Sequence, residues 1–171
     1  MNILKLLEGG DRRTIGRSDE VAAMVSKNPG LFPQLITGLW SSDPLVRMRA
    51  ADAAEKFTRE NREFLQPYKK ELLGLMAETR QQELRWHLAA MIPRLRLSAR
   101  ERQRAASLLE SYLEDRSSIV KTSALEGLAD LARHDASLQP KVIELLRESI
   151  RNGTPAMKAR SRKLVLQLEG R

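Results

Sequence analysis

The chain has no cysteine, only two histidines and few aromatic residues, two Trp, two Tyr and three Phe in 171 positions. Without thiols there is no disulfide, no thiolate metal site and no cysteine nucleophile, and a reducing, cytoplasmic setting is expected. His87 and His134 have no second ligand at metal spacing, so no metal site is expected. His134 stands in ARHD, where a helix is expected to end and where the dipole favours a cation. Neither Glu8-Gly9-Gly10 nor Asn152-Gly153-Thr154 is a phosphate loop, because no G-x-x-x-x-G-K pattern follows a strand. The nucleophile elbow of serine hydrolases is missing as well. These absences leave catalysis with little support and predict no cofactor. Long apolar runs are also lacking. The opening MNILKLLEGG is too short for a signal-peptide core, and nothing approaches the length of a membrane span, so no membrane partner is expected.

What the chain does have is 42% hydrophobic and 30% charged residues, the balance of a folded protein rather than a disordered one. The hydrophobic residues are ordered by a repeat. In DPLVRMRAADAAEKF, Asp43 suits an N-cap and Pro44 the first helical position. Taking Val46 as zero, small or apolar residues recur at Ala50, Ala53, Ala54 and Phe57, one stripe of a 3.6-residue helix. The same stripe recurs at Leu84, Leu88, Met91, Ile92 and Leu95. It returns at Val120, Ala124, Gly127, Leu128 and Leu131, and again at Met157, Ser161, Leu164, Val165 and Leu168. The zero positions 46, 84, 120 and 157 define a period of about 37 residues, in the range of stacked supersecondary units.

A second apolar segment precedes each stripe, and three of the four carry proline at one place near its start: Pro29, Pro67 and Pro140, with Gln103 in the other. Each unit is therefore predicted to be a helical hairpin, at roughly 28 to 58, 61 to 96, 98 to 134 and 136 to 169. Pro93 predicts a kink or early end in the second unit. Ahead of the hairpins, a short helix is expected through Ile3, Leu4, Leu6 and Leu7, stopped by Gly9 and Gly10. Ser18 is expected to cap the helix that follows, so that residues 1–27 cover the first hairpin. Trp40, at the end of a first helix, reads as core. Ser161, flanked by Arg160, Arg162 and Lys163, reads as the surface of an end unit facing water.

The pattern resembles the HEAT-repeat family, whose second helix opens with a capping residue, a Val-Arg or Val-Lys pair and alanine-rich spacing. Asp43, Val46, Arg47 and Ala50 carry the likeness best. Val120, Lys121 and Ala124 carry it in the third unit, whereas the second has Leu84, Arg85 and Leu88 and the fourth keeps only Met157 and Lys158. The resemblance spans residues 29 to 168. It implies an all-α protein with a single domain over 1–171: a short α-solenoid in which residues 28–169 form four hairpins behind an N-terminal cap. It also implies a concave surface lined by second helices. Some proteins of this appearance are alkylpurine DNA glycosylases and others resemble phycobilin lyase subunits, so the resemblance leaves an enzymatic reading open. Asp52 and Glu126 would then be the acids nearest Trp86.

Three sets of residues are candidates for binding. Trp86 lies two positions beyond its zero, about 200° around the helix, where Met48, Thr122 and Ala159 are its equivalents. With Met48 and Leu125 as apolar contacts and Arg47, Arg85 and Lys121 as polar ones, it would anchor a protein segment, the first functional expectation. The basic column Arg47, Arg85, Lys121 and Lys158 is explained more simply as a repeated packing device. Net charge is +8 and uneven: residues 94–104 hold five arginines against one glutamate, and residues 158–171 hold five basic residues against one glutamate. Lys158, Arg160, Arg162 and Lys163 are thus the candidates for a second expectation, binding to nucleic-acid backbones.

Overall fold

The computed structural model describes residues 1–170. Among them there are nine α-helices, short 3-10 turns and no strand, so the protein is all-α. The helices are α1 (Ser18–Lys27), α2 (Phe32–Thr37), α3 (Pro44–Thr58), α4 (Lys69–Glu78), α5 (Gln82–Met91), α6 (Ala99–Tyr112), α7 (Ser118–Arg133), α8 (Gln139–Asn152) and α9 (Pro155–Leu168). Local chemistry sets where they begin. The Asp43 carboxylate accepts the Leu45 N–H at 2.8 Å just ahead of Pro44. Ser98 and Glu101 form a reciprocal capping box on α6, and Ser117 and Thr154 cap α7 and α9. Helix α5 stops at Met91 because Pro93 has no N–H to continue it, and a 3-10 turn over Ile92–Arg94 leads into extended backbone at Leu95.

The apolar stripes are the core. Val46, Ala50, Ala53, Ala54 and Phe57 are buried, as are Leu84, Leu88, Met91, Ile92 and Leu95, then Val120, Ala124, Leu128 and Leu131. Each of α1, α3, α5 and α7 packs on the next odd-numbered helix, ending at α9, while α2, α4, α6 and α8 pack against their hairpin partners α3, α5, α7 and α9. Between α5 and α7 the crossing is close enough that a Cβ on Gly127 would lie 2.7 Å from the Ala89 carbonyl oxygen. Four of the few aromatic rings gather in one place, with Phe32, Phe57, Phe64 and Tyr68 at centroid separations of 5.2 to 6.1 Å.

Three expectations are corrected. Ser18 does not cap α1: it lies inside the helix, buried, and its hydroxyl donates to Asp52 Oδ2 on α3 at 2.5 Å. The side chain ties two helices together instead of ending one. Trp40 is 45% exposed, because the 3-10 turn Gly38–Trp40 swings it off the buried stripe. Ser161 is fully buried, since α9 turns this stripe toward α7 and α8 and its cationic neighbours outward, and the hydroxyl has no hydrogen-bond partner among the described residues.

The N-terminal loop is fastened by a buried arginine. Arg49 is 2% exposed and donates to the carbonyls of Leu7, Gly9, Asp11 and Thr14. Gly16, at φ +54°, is required beside it: a Cβ there would lie 2.8 Å from the guanidinium carbon.

Candidate functional site

The basic column is taken up largely by the fold. Arg47 donates to Gln81 Oε1 at 2.8 Å and to the carbonyls of Ser41 and Ser42. Gln81 returns a bond to the Pro44 carbonyl at 2.8 Å, so this arginine pins the turn before α5 to the start of α3. Arg85 repeats the device one hairpin later, donating to the Thr79 carbonyl and pairing with Asp115 at 2.7 Å. Burial pushes the Asp115 carboxyl up, but the Ser117 N–H and the Arg85 guanidinium outweigh it and hold the group below its ordinary range. Arg85 also lies over the Tyr112 ring, 4.9 Å from its centroid. Lys121 and Lys158 are half-buried and make no such bond among the described residues.

The apolar contacts expected beside Trp86 are not accessible. Leu125 is 1% and Met48 9% exposed, because the residues that cross from one odd-numbered helix to the next cover them. Trp86 itself is half-buried against the core, its ring 5.8 Å from that of His87. The neighbouring surface is a lattice of charge. Asp52 Oδ2 accepts from Ser18 and, at 2.6 Å, from Lys56, which also reaches Asp19 on α1. His87 Nε2 is 3.8 Å from the other Asp52 oxygen. Burial lowers the His87 pKa, and the Asp52 and Glu55 carboxylates only partly oppose it. Ser18 and His87 thus engage opposite oxygens of one carboxylate, so the imidazole is not placed to take the serine proton. Glu126, the other acid near Trp86 by register, pairs with Arg160 at 2.5 Å.

A second buried acid organises the ends of these helices. Glu55 is 7% exposed and bonded to Arg59 from its own helix and to Arg94 from the turn after α5. Burial raises its pKa, but the two guanidinium groups win and keep it depressed. Arg94 also donates to the Glu55 carbonyl and to Thr58 Oγ1.

The cations left over are unevenly placed. On α9, Arg162 and Lys163 are exposed and Lys158 half-buried, none with an acidic partner among the described residues, and Arg160 shares Glu126. Leu166, 50% exposed, lies on the same terminal helix. A separate group meets in a cleft of about 400 Å³, where Arg62 and Arg96 join Arg94 and His134. The charge of 94–104 was visible in the sequence, but nothing in its register linked Arg62 to Arg96, 34 positions away. Arg49 was missed because a lone arginine on an alanine-rich helix reads as surface. No group of acidic and histidine side chains among the described residues is arranged to hold a metal ion, and no described helix is long and apolar enough to cross a membrane. No protein-family model matches the chain, and neither a curated protein nor a solved structure matches it.

Proposed function

We propose that the chain is a short HEAT-like α-solenoid acting as a binding scaffold, and that its ligand is the phosphate backbone of nucleic acid, met by the last helix. What carries the reading is the set Lys158, Arg162 and Lys163 on α9, cations with no acidic partner among the described residues and brought together on one helix. Unpaired cations retain their long-range attraction for phosphates, whereas paired ones have their field cancelled nearby. Arg160 is the reserve of the set, because its partner Glu126 is itself 40% exposed and a phosphate can replace it. The solenoid reading draws on the consecutive packing of α1, α3, α5, α7 and α9 and on the common period of the four stripes.

A protein segment held by Trp86 has weaker support. Of the six contacts it calls on, Met48 and Leu125 are buried and Arg47 and Arg85 are bonded within the fold. Trp86 and Lys121 remain. The test is fluorescence anisotropy of a labelled duplex with the wild-type chain and a Lys158→Glu, Arg162→Glu, Lys163→Glu variant. Binding by the wild type at low salt, lost on charge reversal while the melting transition persists, supports the reading. Equal binding by both proteins would remove α9 as the site.

A further inference from the structure

The cleft between residues 62–66 and 93–96 lies apart from the α9 surface, and its chemistry differs from a general positive field. It exists because Pro93 ends α5 early and the chain then runs extended, leaving a gap beside the 3-10 segment Arg62–Tyr68. Two bonds hold its walls together: Gln66 Oε1 accepts the Arg96 N–H at 2.9 Å and Gln66 Nε2 donates to the Arg96 carbonyl at 3.1 Å. The Arg96 backbone is therefore fixed while its guanidinium is exposed and has no partner among the described residues. Arg62 is likewise exposed and without a partner among the described residues, and both line the same cleft. At its inner side Arg94 is anchored by Glu55 and Thr58 through three bonds, which orient it but leave its Nε–H and one Nη2–H without an acceptor among the described residues. His134 at the end of α7 completes the lining, and Glu63 is the only acid among its described residues.

We propose that this cleft is a binding site for a phosphomonoester. The volume of about 400 Å³ falls within the range of about 300–1,000 Å³ typical of small-ligand sites. Arg62 and Arg96, with no ion pair among the described residues, can meet the roughly two negative charges of a monoester at neutral pH even beside Glu63, whereas a backbone diester brings only one. Arginine suits this task because its planar fork bonds two phosphate oxygens at once. Pro93 and Leu95 provide an apolar wall for the group that the phosphate esterifies. The phosphate can come from a free small molecule or from the end of a nucleic-acid strand. The site stands whether or not α9 binds the strand backbone.

The experiment is calorimetric titration of the full chain with phenyl phosphate, with dimethyl phosphate as the singly charged comparison. The expected result is saturable binding of phenyl phosphate, weakened at least tenfold in Arg62→Glu and in Arg96→Glu and unchanged in the α9 triple variant. Thermal melts of each variant check folding, and both arginines are exposed enough to be replaced without disturbing the core. A duplex carrying a 5′-phosphate then competes with phenyl phosphate if the strand end is the source. If it competes no better than its unphosphorylated twin, the small molecule is the source. Equal affinity for phenyl and dimethyl phosphate, or binding indifferent to both arginine substitutions, would overturn the proposal.

Discussion

Arg49 shows how one side chain can hold a segment with no regular structure of its own. Its guanidinium satisfies carbonyls at Leu7, Gly9, Asp11 and Thr14, across which the chain makes few other long-range bonds. Replacement by alanine strands those acceptors, and only some of them regain water, so Arg49→Ala should cost about 3 kcal/mol in urea denaturation. Arg49→Lys, with one compact ammonium, should recover part of that loss. His87 sets a different signature. Its folded pKa lies below the unfolded value, so between the two the unfolded chain binds more protons and stability rises with pH. The contribution is complete above about pH 6.5, the unfolded histidine value, and fades as pH falls below it. Denaturation at pH 7.5 and 5.5 should show a loss in the wild type that His87→Gln reduces. Glu55, also depressed, adds its own loss only below the ordinary glutamate range. At this scale the sequence was least legible. Helical periodicity marks which side chains point inward, but a buried arginine or histidine is decided by what the rest of the chain lays over it. Ser18 and Ser161 were misplaced for that reason.

Elements were far more legible. Asp43, Ser98, Ser117 and Thr154 each act as caps through their own side chains, and proline at the first turn or just past an end fixed several boundaries. These are local effects, complete within four residues, so a sequence displays them directly. Crossing distances between helices are not local. Gly127 read only as one more small residue on a stripe, yet it is the place where α7 meets the backbone of α5. Alanine there gains about 1 kcal/mol of helix propensity but must displace a carbonyl oxygen 2.7 Å away, and overpacking of that kind costs about 1–3 kcal/mol. Because a backbone atom cannot swing aside as a side chain does, the clash should win and Gly127→Ala should destabilise. Gly74 on α4 is the contrast: a Cβ there meets nothing within 4 Å, so Gly74→Ala should stabilise by about 1 kcal/mol. Opposite signs for the two substitutions in one denaturation series would check the packing of α5 on α7.

Over the whole molecule, charge is what separates structure from proposed function. Some cations were assigned by the fold: Arg47 and Arg85 fasten turns, Arg94 orients around Glu55, and Arg102 pairs with Asp135 at 3.0 Å. The sequence could total the charge but could not sort bonded arginines from free ones, because that depends on acids about 30 positions distant. Once sorted, Lys158, Arg162 and Lys163 are cations without an acidic partner among the described residues that share one helix, and together they can meet a polyanion. The measurement that tests this most directly is the affinity for a labelled DNA duplex as salt is raised from 50 to 200 mM. Three phosphates neutralised by Lys158, Arg162 and Lys163 predict a slope of about −2.7 in log K against log salt, falling toward zero when all three are changed to Gln. No binding at the lowest salt, or a slope that survives the three substitutions, would contradict the account.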